Sequence, residues 1–237
     1  MQTQHQTQAM PLTTVEPRRR WGGLVRRREV WTLSRRGWIV ASLGIFGLFA
    51  LLLLGVHPFL AVTQRVEPDV LVIEGWIPDY ALLAGWDEFR RNHYSTLLTV
   101  GGPFRSGVNL DPDDDYADFA AYKLRKMVGK GIPVIPVPCP LEKRDRTYTC
   151  ALTIKAWLAR HDPTARNVTV VTLGPHARRS RLLYQKAFGP GAEVGVIAFQ
   201  DQDYDARHWW RYSEGVKEVM SEAFAYLYAR LIFYPGQ

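Results

Sequence analysis

Cysteine is scarce: only Cys139 and Cys150 occur in 237 residues, and no zinc-type ligand spacing exists. In an oxidising compartment the two can pair across a short loop; free, partly buried thiols are the alternative. Neither G-x-G-x-x-G nor G-x-x-x-x-G-K-[ST] occurs, so both common phosphate-loop fingerprints are missing. No G-x-S-x-G surrounds Ser106 or Ser180, which removes the usual sign of a serine nucleophile. The chain also lacks internal repeats. The acidic run Asp111, Asp113, Asp114, Asp115 and Asp118 has no central glycine and ends on Tyr122 where a calcium loop needs glutamate. We read it as the cap and first turn of a helix and assign no metal.

Opposing charge is scarce at one end of the chain. Of 30 basic residues, eight arginines (Arg18, Arg19, Arg20, Arg26, Arg27, Arg28, Arg35 and Arg36) precede Gly37, against only Glu16 and Glu29, a net +6. The remaining 22 basic and 21 acidic residues leave the rest at +1. The overall +7 is therefore a property of the tail and gives no nucleic-acid-binding face.

From Gly37 to Val56 twenty residues pass without a charge or a proline, enough to cross a hydrocarbon core. Trp38 and His57-Pro58-Phe59 suit the two interfaces, and the arginine-rich flank predicts a cytoplasmic N-terminus. Leu60-Ala61-Val62-Thr63 is a poor cleavage site, which favours a retained anchor over a removed signal peptide. The expected organisation is a basic, partly disordered tail (1–36), a transmembrane helix (37–56), a linker (57–68) and an extracytoplasmic α/β domain (69–237). The partner this implies is the lipid bilayer, and the expected location is a bacterial inner membrane.

Beyond the linker, strand and helix patterns alternate. Strands are predicted at Asp69–Glu74, Thr96–Val100, Val134–Val137, Val168–Leu173 and Val194–Ala198. Helices are predicted at Tyr80–Asn92, Tyr116–Lys130, Arg146–Arg160, Ala177–Phe188 and Ser213–Phe233. On the last, Val216, Met220, Ala223, Leu227 and Leu231 share one face. Strands one, two, four and five are apolar on both alternations, as in a mostly parallel sheet covered by helices on both sides. Ligands of such sheets bind beyond the carboxyl ends of the strands.

At that end lies Leu173-Gly174-Pro175-His176-Ala177-Arg178-Arg179-Ser180-Arg181. Three cations in a first helical turn oppose the helix dipole, a conflict that a bound anion relieves, as do internal ion pairs. His176 is a candidate acid or base there, and Glu74, ending a central strand, a candidate acidic partner. Arg144, in the loop before the preceding helix, and Arg146 and Thr147 at the start of that helix are candidate anion contacts or part of a solvated charge run. Gly101-Gly102 permits close approach of backbone to a ligand, or marks only a turn. Trp209, Trp210 and Tyr212 form an aromatic cluster suited to packing.

The order of these motifs resembles the YdcF-like family, which includes SanA-like and ElyC-like envelope proteins. The likeness spans about Asp69 to Phe233. It rests on Val70–Gly75, Thr-Val-Gly101-Gly102, Gly131-Ile132-Pro133, Arg146-Thr147-Tyr148 and Thr172-Leu173-Gly174-Pro175-His176-Ala177-Arg178-Arg179. Where the family has Asn-Thr-x-Glu-Asn this chain reads Arg146-Thr147-Tyr148-Thr149-Cys150, matching at Thr147. The resemblance implies a Rossmann-like three-layer domain and a role in envelope biogenesis or barrier integrity. The expected ligand is a phosphorylated, nucleotide-like or lipid-linked small molecule. Phosphoester hydrolysis or transfer is the first expectation if the chain is an enzyme, and a non-catalytic binder or scaffold is the alternative. No cofactor is named by the sequence.

Overall fold

The computed structural model describes residues 31–104, 115–142 and 144–235. Most of the basic tail, Ser106 and the acidic residues Asp111, Asp113 and Asp114 lie outside them. The chain divides into two compact units, Met1–Gly47 and Leu48–Gln237. Among the described residues of the first, the order begins with α1 (Arg35–Leu60), exposed and apolar enough to cross a membrane. The second unit holds the end of α1 and the whole α/β fold.

That fold runs β1 (Val70–Glu74), α2 (Asp79–Arg91), β2 (Thr96–Gly101), α3 (Tyr116–Val128), β3 (Val134–Pro138), α4 (Arg146–His161), β4 (Asn167–Leu173), α5 (His176–Phe188), β5 (Glu193–Phe199) and α6 (Ser213–Leu231). All five strands are parallel, in the order β3-β2-β1-β4-β5. Alternation sorts the buried side chains onto two faces. Val70, Val72, Val168 and Val170 meet Ile154 and Leu158 of α4 and Tyr184 of α5. Leu71, Ile73, Val171 and Ile197 meet Leu82 of α2 and Leu124 of α3. The result is the expected Rossmann-like three-layer domain, with the strand order reversing between β1 and β4.

Two details position the ends of the strands. A Cβ on Gly75 would lie 2.1 Å from the Tyr116 carbonyl oxygen, and one on Gly101 2.4 Å from the Tyr116 Cβ. Both glycines therefore let the start of α3 sit close over β1 and β2. Asp115 caps that helix by accepting from the Asp118 amide (2.8 Å), the role expected of the acidic run.

The stretch expected to be a linker (57–68) is structured in part. Helix α1 continues through Pro58, with His57 and Leu60 buried, because its last turns pack against the domain. Leu53, Val56 and Leu60 join Trp209, Val219 and Tyr226 in a third apolar cluster. Gln64 then pairs antiparallel with Val196, each amide donating to the other's carbonyl at 2.8 Å. This bridge covers the outer edge of β5. On the opposite edge, Pro136 and Pro138 of β3 have no N–H to offer.

The face shared on α6 by Val216, Met220, Leu227 and Leu231 is exposed, whereas Gly215, Val219, Glu222 and Ala229 are buried. The period is helical, but the packed side is rotated away from the most apolar one.

Cys139 and Cys150 form a disulfide, closing a sequence separation of 11 and tying the exit of β3 to the first turns of α4. Replacing both by alanine is expected to lower the unfolding free energy by about 2–3 kcal/mol, through the freed unfolded chain. Urea denaturation of the full chain in detergent measures this. An unchanged midpoint would mean that packing alone fixes the loop.

Candidate functional site

A cleft of about 590 Å³ opens beyond the carboxyl ends of the strands, at the point where the strand order reverses. Glu74 and Trp76 come from the exit of β1, Gly101 and Gly102 from β2, and the disulfide from β3 and α4. Arg146 and Thr147 open α4, His176 and Arg179 lie on the first turns of α5, and Glu218 and Glu222 on α6. Its size is that of an ordinary small-ligand site.

The buried end of the cleft is an ionic cluster. Glu74 accepts from the Thr172 hydroxyl (2.6 Å), the Trp76 indole (3.0 Å) and the Ser180 hydroxyl (2.9 Å). Strand β4 supplies Thr172, and Ser180 stands one turn beyond His176 on α5. A carboxyl this buried is retained because its oxygens are so fully occupied. His176 Nε2 faces Glu74 at 3.5 Å, longer than an ordinary hydrogen bond. On its other side, Nδ1 lies 2.9 Å from Glu222 Oε1.

A carboxylate only accepts, so we assign the proton at this contact to Nδ1, donating to Glu222. Arg179 Nη2 is 3.0 Å from that same nitrogen, but its acceptor is Glu222 Oε1 at 2.9 Å. Arg179 Nε donates to Glu222 Oε2 at 2.8 Å, completing a bidentate pair. The spacing i, i+3 puts His176 and Arg179 on one face of α5, so a single carboxylate meets both.

Burial pushes the Glu222 carboxyl up, but the charge and hydrogen bonds of His176 and Arg179 outweigh it and hold it well below the usual range. For Arg179, burial works to lower and Glu222 to raise, with the carboxylate prevailing. Burial also raises the carboxyl of Glu218, at the cleft wall, and the neighbouring Glu222 charge adds to it.

No protein-family model, curated protein or solved structure matches the chain.

Of the residues singled out in the sequence, Glu74, Gly101, Gly102, Arg146, Thr147, His176 and Arg179 converge on the cleft. Arg178 does not line it. Its Nε donates to the Phe59 carbonyl, and its guanidinium lies 4.0 Å from the centre of the Phe59 ring. Arg144 is exposed and outside the cleft lining. Arg181 donates to the Val194 carbonyl (2.9 Å). The three arginines that oppose the α5 dipole thus each have an internal acceptor, the ion-pair alternative in the case of Arg179. Gly101 has a packing reason for its missing side chain, given by Tyr116.

Sequence reasoning missed Glu222. Gly215, Val219, Glu222 and Ala229 follow i, i+4, i+7, i+14 and form the buried side of α6, but the more apolar side of the helix is the other one, so no sequence signal marked Glu222 as buried.

Glu222→Gln leaves the Arg179 charge in place with a neutral partner, at an expected cost of about 3–5 kcal/mol. Stability from Glu222 is complete above the carboxyl's unfolded value, about 4.3, and is lost as pH falls through the lower folded one. The wild type should therefore weaken below about pH 4, with the variant less sensitive there. Unfolding midpoints between pH 7 and 3 check this, and identical pH slopes would refute the assignment.

Proposed function

We propose that this chain is a YdcF-like, membrane-anchored protein of the bacterial envelope. Its cleft binds, and processes by acid–base chemistry, a phosphorylated or otherwise anionic envelope precursor. The observation carrying this reading is His176, held between Glu222 and Glu74 at the ligand-binding end of the sheet. Glu222 orients the ring through Nδ1, which leaves Nε2 to exchange a proton with a ligand.

Helix α4 supports the anionic part of the reading. Asp145 precedes it in the left-handed region (φ 52°) and makes no side-chain cap. A helix start of this kind, with Arg146 and Thr147 on it and in the cleft wall, suits a phosphate. Phosphoester hydrolysis or transfer is the reaction class that fits: the oxygen of a water or alcohol forms the new P–O bond as the ester P–O bond breaks, Nε2 of His176 takes that nucleophile's proton, and the resulting imidazolium returns it to the leaving oxygen. Arg179, neutralised by Glu222, would orient His176 rather than grip the anion. That internally satisfied arrangement also favours the second reading, a binder that does not turn its ligand over.

The arginine-rich flank of α1 and the disulfide both support an extracytoplasmic domain, since disulfides persist in oxidising compartments.

The test uses the full chain in detergent with phosphorylated sugars, nucleotides and a soluble polyprenyl-phosphate analogue, following binding and phosphate release. Arg146→Ala should weaken binding about tenfold, the loss of one charge-assisted contact. His176→Asn should bind normally and lose about 10²–10⁴-fold in turnover. Binding without turnover in the wild type selects the binder. A folded wild type that binds none of these anions overturns the proposal.

A further inference from the structure

Among the described residues nothing covers the exposed face of α6, on which large apolar side chains stand in solvent. At about 100° per residue, Val216, Met220, Phe224, Leu227 and Leu231 fall within an arc of about 80°. Phe224 is 66 % exposed, Leu227 50 % and Leu231 62 %, beyond what scattered surface residues require.

What flanks this stripe identifies its occupant. On one side of α6, Val219, Ala223 and Tyr226 pack with Leu53, Val56 and Leu60 of α1. The Phe59 and Tyr226 rings meet edge to face at 5.6 Å, and the Trp209 indole, just before α6, donates to the Leu53 carbonyl (3.0 Å). Leu53 and Val56 also belong to the uncharged run that begins at Gly37. A span of about 20 residues from Gly37 ends near Val56. The segment of α1 packed against α6 is thus the segment that leaves the hydrocarbon.

We propose that the exposed face of α6 lies on the bilayer, as an amphipathic helix seated in the lipid interface beside the anchor. Its composition fits that depth. Phe224, Phe59 and Tyr212 are exposed aromatics of the kind that settle at the headgroup level. The Arg178 guanidinium over Phe59 places a cation at the level of lipid phosphates. The other side of the stripe borders the cleft, whose wall includes Ser221, Ala225 and Tyr228 of α6. Seated this way, the cleft mouth opens along the membrane surface. The inference rests on α1 as a membrane anchor and not on the chemistry proposed for the cleft.

Nitroxide accessibility tests it in full-length protein reconstituted into phosphatidylcholine nanodiscs, with the native cysteines kept as their disulfide. Single labels are placed through Leu227→Cys on the stripe, Leu48→Cys on α1 and Arg91→Cys on α2 as the solvent reference. The Leu227 label should fall between the Leu48 and Arg91 labels, shielded from a water-soluble nickel complex relative to Arg91 and less deeply than Leu48. A Leu227 label as open to nickel as Arg91, with Leu48 still in lipid, overturns the proposal. Interchain spin–spin coupling at Leu227 would assign the face to a second copy, and so also overturn it. Both Leu48 and Leu227 in water would sink the anchor reading and the inference with it.

Discussion

The bidentate contact of Glu222 with Arg179, extended through His176 toward Glu74, fastens α6 to α5 and both to the centre of the sheet. Each of these groups is costly to bury alone, and each has its cost offset by the next. The cluster is directional as well as cohesive. Only one placement of α6 brings Glu222 within reach of both an arginine and an imidazole three residues apart on another helix. The wall that α6 contributes to the cleft therefore depends on an ionic contact at the floor of that cleft, and the structure and the proposed chemistry draw on the same side chains.

This dual use bears on how the proposed acid–base chemistry would be tuned. His176 is neither free in solvent nor sealed in the core. One ring nitrogen is bound to a carboxylate that cannot give it up cheaply, and the other faces a second carboxylate at a distance too long for a firm bond. A ligand entering between Trp76 and the start of α4 would meet a ring whose orientation is already set. Preorganisation of this kind lowers the reorganisation required when charge develops.

Much of the α/β architecture was legible because its determinants are local. Runs such as Val168–Leu173, apolar on both alternations, specify a strand covered on two sides, and the loops after them locate the cleft. Glu74 and His176 were legible for the same reason, since each ends or begins an element at the ligand-binding side. Other features depend on distant partners. Arg178 and Arg179 are identical neighbours in sequence, and only the fold decides that one turns to Phe59 and the other to Glu222. The pairing of Cys139 with Cys150 likewise depends on where β3 ends relative to α4. The α6 face was found by its period, but periodicity reports that two sides differ and not which one is packed. The bridge within the linker was not legible because Gln64 orders by meeting Val196, more than a hundred residues away.

That meeting, with the prolines at the opposite margin, leaves the sheet with no inviting edge. Gln64 occupies the outer side of β5, and Pro136 and Pro138 interrupt the donors of β3. A protein confined to a membrane encounters its own kind in two dimensions, at crowding far above what the same number of molecules would experience in bulk. Strand-to-strand recruitment is a constant hazard there. For a membrane-anchored chain, as proposed above, closing both margins would let many copies share a patch of membrane without templating one another into aggregates.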